Sequence, residues 1–281
     1  MTGGRRTWRW RGRRLDDDRA HTLWSQPSSG ATGARAPAEP AAVPAQRCRA
    51  VGSPVEPSTT APVLEVNDAR RGPLQVHRGE HVSLLGASGA GKSMWIRSLL
   101  GLHEPFDEVR LWGMVASKEL VACVIGWVPE GDGVLLSSSV LDNVTVRTGE
   151  RAITRAQGLD ALDLVGLAGR SREPVVHLNR AERRRVALAR CLARRAPFLV
   201  IDTELDPILW PLFPMLCSYL PWIEAVLVSQ SAVTSFSRQA STVAVVHGGS
   251  VIAQAPLAEL DGTPDPAVRQ VIGSLQREGT E

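Results

Sequence analysis

Apolar residues along the chain come in short runs that switch between a two-residue and a helical period. From Val63 the pattern V-L-E-V-N-D-A-R-R-G-P-L-Q-V-H alternates like two short strands joined at Gly72-Pro73. After a turn at Arg78-Gly79-Glu80, a third strand runs into Gly86. A helical run starts at Ser93 and stops near Gly101, a glycine placed to cap it. Strand-like pieces follow at Val109–Trp112 and Val121–Val128, and residues 152–167 are helical in pattern through Leu159, Leu162, Leu164 and Val165. The stretch 182–195 sets Val186, Ala189, Leu192 and Ala193 on one face with arginines around the rest, and Asn179 precedes it as an N-cap with Glu182 as the reciprocal acid. Phe198–Ile201 and Ala225–Ser229 read as fully apolar strands, and Val243–His247 with Val251–Ala253 as a hairpin across Gly248-Gly249. Strands alternating with helices predict an α/β fold with a mainly parallel sheet.

Residues 1–61 break this pattern. Beyond Trp24 they are Ala, Pro, Ser, Gly and Thr with scattered Arg, and such a segment buries too little apolar surface to offset its ordering entropy. It is expected to be a disordered tail ahead of one folded domain at 62–281. Its Trp8, Arg9, Trp10, Arg11, Arg13, Arg14 cluster has the chemistry to stick to anionic lipid or nucleic acid, but a solvated tail is the simpler reading. No apolar core of signal-peptide length follows the basic start. The run Ile208–Val228 is apolar but holds Pro211, Pro214, Pro221 and Glu224, which suits a helix and a buried strand better than a membrane span.

Composition narrows the class. The 281 residues are 43% hydrophobic and 22% charged with a net charge of +3, so the body of the chain carries no specific nucleic-acid signal. The cysteines Cys48, Cys123, Cys191 and Cys217 show no paired spacing, and the last three read as small buried hydrophobes. A reduced, cytoplasmic setting is expected.

The chemistry is concentrated between Val82 and Leu100. Here G-x-x-x-x-G-K-S runs from Gly86 through Ala87, Ser88, Gly89 and Ala90 to Gly91, Lys92 and Ser93, between a strand-like and a helix-like run. Glycines let successive backbone N–H groups point at an anion, and the following helix offers its N-terminus to phosphates. Lys92 is placed for the β- and γ-phosphates of ATP and Ser93 for Mg²⁺. Of the 32 basic residues only Lys92 and Lys118 are lysines, so the loop keeps a compact ammonium in an arginine-rich chain.

Together with this loop, the order of pieces over residues 62–275 resembles the nucleotide-binding subunit of ATP-binding-cassette (ABC) transporters. Ile125–Glu130 followed by Gly133–Val144 looks like the family's glutamine loop and the segment after it. His177–Asp202 looks like the signature helix running into the magnesium-side strand, and Val245–Leu260 like the closing hairpin and short helix. The resemblance implies a P-loop ATPase domain with a small antiparallel β part and a helical subdomain. It implies ATP and Mg²⁺ as ligands, with Gly86, Ala87, Ser88, Gly89, Ala90, Gly91, Lys92, Ser93, Asn179 and Arg180 on nucleotide and Ser93, Glu130 and Asp202 on the metal. It also implies a second nucleotide-binding subunit, separate membrane-spanning permease chains, and a place on the inner face of the cell membrane.

Several family positions carry other residues. The carboxylate expected after Asp202 is Thr203, and losing a general base costs ~10²–10⁴-fold in rate. Glu204 is one residue too far along an extended strand end. The histidine expected after the V-L-V-S strand is Gln230, the loop glutamine is Glu130, and the signature Ser-Gly-Gly-Gln has become Asn179, Arg180, Ala181, Glu182. No Phe, Tyr or Trp to stack on adenine precedes the loop within Leu64–His81, where His77 is the ring considered, while Asp206 can keep the dimer-contact role. Two readings stand. One is a transporter ATP-binding subunit with weak or absent hydrolysis of its own, and the other a non-catalytic, nucleotide-dependent regulatory or interaction module. A small-molecule kinase fits less well, since no lid or acceptor site is visible.

Overall fold

The computed structural model describes residues 61–131, 133–146, 152–203 and 220–278, together with two short strands near the N-terminus. The chain divides into the units Met1–Val55 and Glu56–Glu281. In the first, β1 (Arg9–Trp10) pairs antiparallel with β2 (Trp24–Ser25). The rest of the expected tail lies outside the described residues.

The second unit is built on a six-stranded sheet ordered β12-β11-β5-β10-β9-β8, with β5 His81–Leu85, β8 Ile125–Val128, β9 Phe198–Ile201, β10 Ala225–Gln230, β11 Thr242–His247 and β12 Ser250–Ala255. Every neighbouring pair is parallel except the β11–β12 hairpin. Period-two alternation gives the sheet two apolar faces. Val82, Leu84, Phe198, Val200 and Leu227 pack against helix α1 (Lys92–Leu99) and a four-stranded antiparallel sheet. That sheet is ordered β4-β3-β6-β7, from Leu74–Val76, Leu64–Asn67, Glu108–Leu111 and Met114–Val115. Leu199, Ile201, Val226 and Val228 face the opposite way, into a core shared with α3 (Val140–Thr145), α4 (Arg155–Leu164) and α5 (Arg180–Ala193). A third cluster joins Val243 and Val245 to the closing helices α7 (Leu257–Asp261) and α8 (Pro266–Glu278), the last of which the sequence pattern does not foretell. The α/β architecture with its antiparallel part and helical subdomain is the expected one.

Three local expectations fail. Lys118–Val124 is a helix, α2, and only Ile125–Val128 of the predicted strand is extended. Ser117 caps it by accepting from the Leu120 N–H at 3.2 Å, and Glu119 favours the first turn, so a local cap outweighs the strand preference of Val121 and Val124. Cys123 is consequently on an exposed helix face and not buried, whereas Cys191 is buried as expected. Cys217 and most of the apolar run at 208–228 fall outside the described residues. Helix α5 spans Arg180–Ala193, beginning two residues earlier than its pattern; Arg195 stops it in the left-handed region at φ 54°. No helix among the described residues is long and apolar enough to cross a membrane.

Candidate functional site

Because β5, β10, β9 and β8 are parallel neighbours, their carboxyl ends share one edge. That edge brings together Gly86, Gln230, Asp202 with Thr203, and Glu130, from segments up to 144 residues apart in the chain. A crevice outside such an edge is where open parallel sheets bind ligands.

The loop leaving β5 depends on glycine at two places. Gly89 and Gly91 stand at φ 77° and 95°, a region that costs other residues roughly 1–2 kcal/mol. At Gly91 a Cβ would also lie 2.7 Å from the Cα of Gly249, in the turn of the β11–β12 hairpin. That turn clamps the loop, since the Gly249 N–H donates to the Ala90 carbonyl at 2.7 Å. Ala87, Ser88 and Gly89 are exposed. Lys92 is buried and its Nζ donates to the carbonyls of Gly86 (2.6 Å) and Ala87 (2.9 Å), which sets the ammonium against the loop's inner rim.

On the next strand but one, Asp202 is only 2% exposed. The Ser93 hydroxyl donates to its Oδ1 at 2.9 Å, while its buried Oδ2 has no hydrogen-bond partner among the described residues. Burial pushes the Asp202 carboxyl above the usual carboxylate range; the Ser93 bond works against this, the charge of Glu130 adds to it, and the charge of Arg97 and the nearby Ser229 hydroxyl, which lies beyond hydrogen-bond distance of Oδ2, oppose it more weakly. A buried carboxylate oxygen left unpaired beside a hydroxyl fits a divalent cation, and Mg²⁺ is usually held by one or two carboxylates plus phosphate and water. Glu130 is exposed just past β8 and acts on Asp202 through its charge. No group of three or more His, Cys, Asp or Glu suited to a metal occurs among the described residues, so a cation here would share its coordination with its ligand.

The positions that depart from the family pattern are structurally occupied. Thr203 is buried beside Asp202. Gln230 is 1% exposed, its Oε1 accepts from the Thr234 hydroxyl at 2.6 Å, and its Nε2 donates to the Ser229 carbonyl at 3.1 Å. Its own carbonyl accepts from the Gly86 N–H at 3.1 Å, so Gln230 ties the loop entrance to β10. Asn179 and Arg180 are exposed at the start of α5. Asn179 and Glu182 form the expected capping box (2.9 and 3.0 Å), and Arg170 adds a 2.6 Å ion pair to Glu182. Glu204 and Asp206 lie outside the described residues.

Three contributors have no motif to betray them. Gly249 clamps the loop, Thr234 holds Gln230, and Arg190 on α5 donates to the Gly133 and Asn143 carbonyls at 2.8 and 2.9 Å, pinning the segment that follows Glu130. Only the Gly248-Gly249 pair left a trace, as a turn.

A glycine loop joining a parallel strand to a helix, with a strand-end aspartate bonded to its serine, defines the P-loop nucleoside-triphosphatase class. Comparison with known proteins narrows it. The family model described as ABC transporter matches residues 70–205. A putative ABC transporter ATP-binding protein of Halobacterium salinarum is 33% identical over 212 residues, covering 70% of this chain and 90% of that protein. Another from Methanosarcina mazei is 33% identical over 159 residues, covering 52% of this chain, and the chain spans about half (49%) of its length. CbiO1 from Clostridium perfringens, described as part of the ABC transporter complex CbiONQ, superposes with a TM-score of 0.61 at 21% identity, covering 78% of this chain and 98% of that one. The chain belongs to the ABC transporter ATP-binding proteins.

Proposed function

We propose that residues 62–281 form the nucleotide-binding domain of a transporter subunit that holds Mg-ATP in the loop 86–93 and hydrolyses it slowly or not at all on its own. The observation that carries this reading is the contrast between two halves of the site. Lys92, Ser93 and Asp202 sit together with one carboxylate oxygen unpaired, whereas Thr203 and Gln230 offer no base. Backbone N–H groups of Ser88, Gly89 and Gly91 and the Lys92 ammonium would bind the phosphates within the loop 86–93, and Ser93, Asp202 and Glu130 would hold Mg²⁺. The metal's contribution is neutralisation of phosphate charge. Thr203 cannot take a proton from water, and Gln230 is turned to Thr234, so neither family position supplies a base for water.

Asn179 and Arg180 are exposed at a helix N-terminus, where a nucleotide held by a second nucleotide-binding subunit could meet them. We propose such a pair docked on separate membrane-spanning chains at the inner membrane face. Calorimetry of Mg-ATP with the full chain and with Lys92→Ala, alongside phosphate release, tests the reading. Binding by wild type, loss in the variant and negligible release are expected. Rapid hydrolysis by the isolated chain would overturn the assignment of Thr203 and Gln230. Absence of binding would overturn the loop's role, and nucleotide-dependent association without turnover in any complex would favour a regulatory module over a transport subunit.

A further inference from the structure

Glu130, a proposed Mg²⁺ ligand, is exposed just past β8, so its place is set by what grips the chain on either side of it. On one side the grip is the sheet: the Val128 carbonyl accepts from the Asp202 N–H at 2.8 Å, which joins the two strand ends. On the other side stands Gly133, at φ 58°. A Cβ there would fall 2.6 Å from Cγ of the Pro129 ring, so glycine is what lets this turn close on the residue before Glu130. Among the described residues the Gly133 carbonyl accepts one hydrogen bond, from Arg190 Nη1 at 2.8 Å.

The rest of the guanidinium is spent on α3. Its Nε donates to the Asn143 carbonyl at 2.9 Å and its Nη2 to Asn143 Oδ1 at 3.2 Å. Asn143 is fully buried and holds both backbone groups of Leu135, accepting from its N–H at 2.7 Å and donating to its carbonyl at 2.9 Å. The Asn143 bonds are partly buried and tie helix to helix. The Gly133 bond lies at the surface, where water replaces a lost partner at little cost to stability. Arg190 takes part in no ion pair of the described residues, and burial holds its guanidinium below the usual arginine range. A half-buried cation spent on carbonyls alone is a costly tether, and at Gly133 what it secures is position.

We propose that Arg190 is a positioning residue for the metal: through Gly133 and the Pro129 ring it fixes where the Glu130 carboxylate stands relative to Ser93 and Asp202. The inference rests on the Mg-ATP reading of the loop 86–93. The planar fork addresses Gly133 and Asn143 together, and a lysine ammonium keeps the charge without the fork.

Calorimetry of ATP with the full-length protein, in Mg²⁺ and in EDTA, tests this, because the ratio of the two affinities reads the metal's share. Arg190→Lys should lower that ratio about tenfold, as loss of an outer-shell partner does, and leave the affinity in EDTA within about twofold of wild type, which certifies the fold. Glu130→Ala should lower the ratio at least as far, and adding Arg190→Lys to it should lower the ratio no further, because Arg190 acts through that carboxylate. Gly133→Ala disturbs the same turn from the side of Pro129 and should reproduce the loss. Without any nucleotide, ¹⁵N order parameters at Gly131 and Gly133 should fall in Arg190→Lys. Wild type that binds ATP in neither buffer would overturn the loop reading and this proposal with it. Wild type that binds, with the ratio or the order parameters unchanged in Arg190→Lys, the ratio unchanged in Gly133→Ala, or additive losses in the double variant, would overturn the positioning role alone.

Discussion

If the Thr234 hydroxyl fixes Gln230, the two residues must be energetically coupled. Thr234→Val deletes the 2.6 Å bond and leaves Gln230 Oε1 without its donor in a 1% exposed pocket, at about 1–3 kcal/mol. It also removes the N-cap of α6 (Ser235–Gln239), whose Ser237 N–H is accepted by Thr234 Oγ1 at 3.4 Å, for about 1 kcal/mol more. The expected loss is about 3 kcal/mol. At roughly 2–4 °C per kcal/mol for a domain of this size, melting should fall by about 6–12 °C. Thr234→Ser keeps donor and cap and should stay within about 0.5 kcal/mol. In a Gln230→Leu background only the cap remains to be lost, so Thr234→Val should cost about 1 kcal/mol there. Urea unfolding of the four proteins of the cycle, followed by near-UV circular dichroism, should give a coupling of about 2 kcal/mol. Additivity within about 0.5 kcal/mol would refute the tie and return Gln230 to the pool of groups free to face a nucleotide.

Two further outcomes follow from buried titratable groups. His81 opens β5 with its Nε2 buried and unpartnered among the described residues, and burial holds its imidazole below the usual value of 6.5. The unfolded chain then takes up a proton on acidification before the folded one does, so stability is lost as pH falls below 6.5. His81→Gln should lose less than wild type between pH 6.5 and 5 in urea titrations, and parallel curves would contradict the assignment. Burial also pushes the Cys191 thiol up to about 11, while Cys123 is exposed on α2. Maleimide at pH 7.5 followed by peptide mass spectrometry should mark Cys123 rapidly and Cys191 only on unfolding, and fast native labelling of Cys191 would contradict its burial.

What the sequence discloses follows the range of the forces involved. The phosphate loop is legible because its demands are local: positive φ at Gly89 and Gly91, then a helix whose first residues are Lys92 and Ser93. The α5 cap is legible for the same reason, Asn179 and Glu182 being three residues apart. Helix α2 was hidden because a run of Val, Ala and Cys satisfies strand and helix alike, and one serine hydroxyl decided between them. The clamp of Gly249 on Ala90 spans 159 residues, and the Arg170–Glu182 pair joins a turn to a helix. Neither leaves a periodic trace. The direction of the Gln230 amide was equally out of reach, since it is set by a hydroxyl in the next loop.

The departures from the family pattern, once placed in the fold, are not alike in character. Glu182 is capped against Asn179 and ion-paired with Arg170, and Gln230 is bonded at both ends of its amide. Polar residues that had drifted into a decaying site would leave buried groups unsatisfied at 1–3 kcal/mol each, and these do not. Among the described side chains at the strand-end site, the buried atom left without a partner is Asp202 Oδ2, where the family pattern is intact and where burial already disfavours the ionised form. Such a penalty persists when something outside the chain relieves it. A cation arriving with phosphate would do so without asking anything of Thr203 or Gln230. The satisfied polar groups at the altered positions thus argue against uniform decay of the site.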